Sequence, residues 1–105
     1  MKLASKGMAV VGETEIAIGF RLVGVEDSFD LTGDAAAAKL RELIAEKKHS
    51  LIIVSESIRN YLGRDLLQIE LLTDPLVVFL PLPGGTDEES VSRLARRVLG
   101  VEIGV

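Results

Sequence analysis

Short apolar runs rich in β-branched residues alternate along this chain with segments whose apolar positions recur every three or four residues. That is the pattern of strands joined by helices in a mainly parallel sheet. Met8-Ala9-Val10-Val11-Gly12 predicts a first strand, and Ser50 to Ser55 a central one, apolar on both faces as a helix-covered parallel strand should be. Pro75 to Pro81 predicts another, with a proline at each end where it breaks no ladder. A weaker strand is expected from Val25 to Phe29, leading toward Leu31. Ile16, Phe20 and Val23 stand at i, i+4 and i+7, which predicts a short helix over Glu13 to Val23 with Gly24 as a left-handed cap. Asp34 to Lys48 predicts a second helix, capped by Asp34, opened by the Ala35 to Ala38 run and striped by Leu40, Leu43 and Ile44. Lys47 and Lys48 then sit at the negative end of its dipole. Ser57 to Leu72 carries Ile58, Tyr61, Leu62, Leu66 and Ile69 at mixed spacing, and Gly63 is expected to break or kink it.

After Leu82-Pro83-Gly84-Gly85, a stretch suited to a hinge, a terminal helix is expected. Thr86 and Glu89 form a capping box, while Arg93, Arg96 and Arg97 suit the negative end of the dipole. Val91, Leu94, Ala95, Val98 and Leu99 make one apolar stripe, closed by Gly100. The chain thus divides into a polar lead-in (1–7), an α/β core (8–83) and a hinge with a C-terminal amphipathic helix and tail (84–105).

Composition narrows the function. At 105 residues the chain holds one core, and with no cysteine it has neither disulfides nor thiolate chemistry. The net charge of −4 opposes broad neutralisation of a phosphate backbone, and a single Tyr with no Trp offers no stacking platform for RNA. No nucleic-acid partner is expected. The apolar run that starts at Met8 stops at Glu13, too short for a signal sequence, and no stretch reaches the ~20 apolar residues of a spanning helix. A soluble, cytoplasmic chain is expected.

In a parallel sheet the place to look for chemistry is the carboxyl end of the strands. Gly12-Glu13-Thr14 follows the first strand, so neither a dinucleotide fingerprint nor a P-loop is present. Ser55-Glu56-Ser57 and Pro81-Leu82-Pro83 follow the others, without the phosphoacceptor Asp and Lys of a signalling receiver. His49 is the only histidine, so no histidine pair holds a metal, and its position after a helix fits a solvated or capping residue rather than a catalytic one. Glu13, Glu15 and Glu56 can gather at one sheet edge as a carboxylate site, although surface solubility explains them equally well. No catalytic, cofactor or metal residue is assigned. Arg93, Arg96 and Arg97 form a basic patch on an acidic chain, suited to an acidic partner or to compensating the helix dipole. Ile58 and Tyr61 are further candidate contact residues, with core packing as the competing reading.

Four pieces in order then resemble a known family. They are Met8 to Gly12 followed by Gly19-Phe20-Arg21-Leu22-Val23-Gly24; Ser50 to Ile58, a strand ending in Ser-Glu-Ser-Ile; Pro75 to Pro81; and Val98-Leu99-Gly100-Val101-Glu102-Ile103. Together they resemble the small F subunits of vacuolar and archaeal type rotary ATPases, which are parts of the central rotor stalk. Val23, Phe79 and Leu82 to Gly85 depart from the family's usual residues there. The resemblance implies a doubly wound, flavodoxin-like sheet of four parallel strands with flanking helices and a C-terminal helix able to detach. It implies a non-catalytic component without cofactor that binds the rotor's coiled-coil D subunit inside a head of A and B subunits. Such a component couples or regulates ATP turnover with ion transport and meets the membrane only through the complex. Arg93, Arg96 and Arg97 are then the candidates for contact with the head. The competing reading is a flavodoxin-like module that binds a small ligand or signals without a phosphoacceptor.

Overall fold

Two strands that are apolar on both sides must be covered on both sides, and β1 (Met8–Gly12) and β3 (Leu51–Ser55) lie side by side at the centre of the sheet. The structure, a computed structural model, describes residues 7–81 and 95–97. Between and after those strands come α1 (Thr14–Leu22), β2 (Ser28–Asp30), α2 (Gly33–Glu46), a 3-10 helix (Glu56–Tyr61), α3 (Asp65–Glu70) and β4 (Leu76–Leu80). The strand order is β2-β1-β3-β4, and every neighbouring pair is parallel. The chain therefore moves outward from β1 to β2, then back past β1 to β3 and β4. Crossovers in parallel sheets are right-handed, so reversing the direction of travel reverses the face on which the connection packs.

The side chains follow that rule with the two-residue period of a strand. Ala9, Val11, Ile52, Val54 and Val77 face Ala36, Leu40, Leu43, Ile58 and Ile69, the layer built from α2, the 3-10 helix and α3. Met8, Val10, Ile53 and Leu80 face Ile16 and Phe20 of α1, together with Val25 and Ala95. The sheet is doubly wound, as expected. Ala95 to Arg97 are helical, and Ala95 is fully buried on the α1 face. The Gly84-Gly85 hinge and the rest of the expected terminal helix, Arg93 included, lie outside the described residues.

Several local expectations shift. Gly24 has φ +111°, the positive-φ stop expected after α1, and Gly63 has φ +55°, where the expected Ser57 to Leu72 helix breaks into the 3-10 helix and α3. Thr32 rather than Asp34 occupies the position before α2, its extended backbone (φ −135°) turning the chain in, and Asp34 falls within the first turn. That helix ends at Glu46 with Lys47 left-handed at φ 57°, so Lys47 and Lys48 lie past its last turn. Gly7 belongs to the fold, not to the lead-in, because its carbonyl accepts from the backbone N–H of Ser50 at 2.8 Å and of Leu51 at 3.0 Å.

Gly12 closes β1 in a space with no room for a side chain. A Cβ there would stand 3.2 Å from Ile16 Cγ2 and 3.2 Å from Ser55 Cβ. Gly12→Val is therefore expected to overpack this junction and cost roughly 1–3 kcal/mol. A urea titration checks it: a midpoint equal to that of the unsubstituted chain would show that β1, α1 and β3 are not so tightly joined.

Candidate functional site

β1 connects toward one edge of the sheet and β3 toward the other, so their carboxyl ends diverge and leave a crevice between them. The ladder pairs Val11 with Val54, which puts Gly12 beside Ser55 and brings Glu13 over the start of the 3-10 helix. A cleft of about 380 Å³ opens there, walled by Glu13 on one side and by Ser55, Ser57 and Asn60 on the other, with Glu56, Arg59 and Pro81 around it.

The polar groups form a relay. Ser57 Oγ donates to Glu13 Oε2 at 2.7 Å, and Ser55 Oγ lies 3.0 Å from Ser57 Oγ and accepts from the Ser57 backbone N–H at 3.4 Å. Glu13 Oε1 is closed off from solvent and has no hydrogen-bond partner among the described residues. Burial works to raise the Glu13 carboxyl, but hydrogen bonds from Ser55, from Ser57 and from its own backbone together hold it below the ordinary value of 4.5. Glu13 is thus a carboxylate at neutral pH. Arg59 brings the opposite charge, but it is already engaged: its guanidinium pairs with Glu70 and lies 4.3 Å from the centroid of the Phe79 ring.

The lowered Glu13 pKa has a sign. A carboxyl whose pKa falls on folding stabilises the fold above its unfolded value, and that contribution is lost as the pH drops through its folded value. Relative to Glu13→Gln, the unsubstituted chain is expected to be more stable at pH 7 and to lose that advantage below pH 4.5. Urea titrations of both proteins from pH 7 to pH 3 check this, and an advantage that grows on acidification would reverse the assignment.

The cleft gathers Glu13 and Glu56 of the three carboxylates singled out in the sequence, while Glu15 lies outside it in the first turn of α1. His49 is a correction. It is buried rather than solvated, with Nε2 2.8 Å from Asp27 Oδ2 and Nδ1 enclosed without a partner among the described residues. It precedes β3, at the opposite end of the sheet from Ser57, so no Ser-His-Asp triad forms among the described residues. Nor do three or more metal-ligating side chains come together among them. Ile58 is fully buried under α2 and serves packing, whereas Tyr61, at the end of the same 3-10 helix, is 47% exposed. Arg96 is half-buried and Arg97 exposed. Sequence reasoning missed Ser55, Ser57 and Asn60 as cleft residues, and it missed the solvent-facing Leu67 and Leu71 on and just after α3. For these leucines the signal was present: two apolar residues at i and i+4 on the side of the segment away from the buried Ile69.

The family model described as ATP synthase (F/14-kDa) subunit matches residues 8–98. The chain belongs to that family. Curated relatives named as F subunits of A-type ATP synthases include one from Thermoplasma acidophilum, 38% identical over 98 residues that cover 92% of this chain and 94% of the relative. Another, from Thermoplasma volcanium, is 39% identical with the same coverage. The crystal structure of the V-type ATP synthase F subunit from Archaeoglobus fulgidus superposes with a TM-score of 0.60 at 27% identity, covering 72% of this chain and 98% of that one. As an F subunit the chain is one component of an ATP synthase, and its partners are the other components of that complex. The first three resemblance motifs lie within the matched span, and in the structure they form β1 with α1, β3 with the start of the 3-10 helix, and β4. Among the described residues, no helix is long and apolar enough to cross a membrane.

Proposed function

We propose that this chain is the non-catalytic central-stalk component of an A/V-type rotary ATPase. It binds the rotor's coiled-coil D subunit, turns with it inside the head of A and B subunits, and couples or regulates ATP turnover with ion transport without hydrolysing ATP itself. The observation that carries the reading is the near full-length match to F subunits of such complexes. Electrostatics support the non-catalytic part. The crevice where a doubly wound sheet ordinarily takes a nucleotide holds the ionised Glu13 with Glu56 beside it, so a polyphosphate entering there meets like charge. The protein reaches the membrane only through the complex, on its cytoplasmic side.

Of the exposed large apolar residues among those described, Leu22, Tyr61, Leu67, Leu71 and Leu76, the pair Leu67 and Leu71 stands at i, i+4 and is the material at hand for the rotor contact. A helical partner buries such a pair as it buries any i, i+4 stripe. Contact with the head falls to Arg93, Arg96 and Arg97. Reversing all three to Glu is expected to change the ATPase rate of the assembled complex severalfold at low salt and much less at high salt, because salt screens the attraction between oppositely charged surfaces. Equal rates at both salts would return these arginines to compensation of the helix dipole.

A further inference from the structure

The connection from β3 to β4 is thinly anchored where it carries α3. The chain turns at Gly63, whose φ of +55° suits glycine, and then forms a helix of only six residues. A helix that short does not hold itself together in water, so its stability comes from what it packs on. Ile69 is the one buried residue of α3, with Leu66 and Leu72 partly covered against the same core. A fissure of about 210 Å³ opens between α2 and α3, with Ile44, Ile69 and Leu72 among its walls. Apolar packing along that seam is therefore incomplete.

Charge closes the seam instead. Arg41 of α2 reaches across it, with Nε 2.7 Å from Asp65 Oδ2 at the start of α3 and Nη2 donating to the Leu62 carbonyl at 3.3 Å. At the other end of α3, Glu70 pairs with Arg59 of the 3-10 helix, whose guanidinium also lies over the Phe79 ring of β4. Both ends of the helix are thus tied by arginine. Neither pair is enclosed: the side chains of Arg41 and Asp65 are nearly half exposed, and those of Arg59 and Glu70 about a third. Pairs of that kind each contribute little and weaken as salt rises.

We infer that residues 63–72 form a strap that opens and recloses as a unit while the sheet stays folded, and that Arg41 and Arg59 are the clasps that hold it shut. Little buried apolar surface and exposed ties are what place a segment at the low-stability end of a fold. Opening parts Ile69 from Val77 and the rest of that cluster and carries the exposed Leu67 and Leu71 with it. The apolar surface on this side of the protein therefore depends on two ion pairs. The motion needs no partner and holds whether or not the chain sits on a rotor.

Amide hydrogen exchange of the full chain, followed by NMR, tests the strap. Its reporters are the amides of Leu71 and Leu72, which donate to the Leu67 and Ile69 carbonyls at 3.2 Å each, and those of the sheet are Val10 and Ile53. The strap amides are expected to be about a hundredfold less protected than the sheet amides. Phe20→Leu loosens the opposite face of the sheet, so it should speed the sheet amides and leave the strap amides within twofold. Arg41→Met combined with Arg59→Met keeps the side-chain stems and removes both clasps. It should speed the strap amides about tenfold, and the sheet amides by the same factor where they exchange only through global unfolding. Raising NaCl to about 1 M should speed the strap amides severalfold in the unsubstituted chain and not in the double variant. Strap amides that follow Phe20→Leu as the sheet does would show that the segment opens only with the whole fold, which overturns the strap. Strap amides unmoved by the double substitution, or by salt in the unsubstituted chain, would overturn the clasps; the salt comparison stands even if the double variant does not fold.

Discussion

Phe20→Ala is expected to destabilise the chain by about 3–5 kcal/mol, the usual cost of removing a fully enclosed phenyl ring. Phe20 has no exposed surface, and it packs with Ile16, Val10, Ile53, Val25 and Leu80, and also with Ala95. It stands in one cluster with Met8, Val10, Ile53 and Leu80 of the sheet, so its removal opens a cavity between α1 and the sheet. Against a total stability of about 5–15 kcal/mol, such a loss leaves a marginal protein. Urea unfolding measures it. A loss below about 1 kcal/mol would mean that α1 contributes little to the fold and that the opposite layer is sufficient.

Leu67→Asp combined with Leu71→Asp is expected to have the reverse profile. The two side chains are 65% and 72% exposed, so the fold gives up little and the melting temperature should move by only a few degrees. Each leucine buried against a partner is worth roughly 1.5–3 kcal/mol, and burying an aspartate in its place adds a further penalty. Binding to the rotor coil should therefore weaken by at least about a hundredfold, since each ~1.4 kcal/mol is a factor of ten. Unchanged affinity would remove this surface from the interface. A large fall in melting temperature would instead show that the leucines serve the fold.

The layered architecture was legible in the sequence because each layer leaves a local trace. β1 and β3 read as unbroken apolar runs, α2 announces itself through its alanines and leucine stripe, and Gly63 breaks a helical pattern where a positive φ is needed. Boundaries were less legible. Both Thr32 and Asp34 are residue types suited to a helix start, and the backbone, not composition, chooses Thr32. The cleft was only half legible. Glu13 and Ser57 are 44 positions apart, and no local pattern joins them; they meet because β1 pairs in parallel with β3 and Gly12 admits the close approach. His49 was misread for the same reason. Its partner Asp27 belongs to a different loop, at the start of β2, and proximity to Lys48 in the chain gave no hint of burial. Ile58 and Tyr61, three residues apart in one 3-10 helix, share a side of it, and the sequence does not show that the cover over Ile58 is complete while Tyr61, beside Gly33 at the start of α2, stays half exposed.

The most direct measurement is the affinity of the purified full chain for the coiled-coil rotor component of the same complex, by titration calorimetry at moderate salt. A one-to-one complex with a dissociation constant in the micromolar range or tighter, which then enters the assembled head of A and B subunits, is the expected result. Absence of heat and of co-elution at high concentration of both proteins would contradict a place on the rotor.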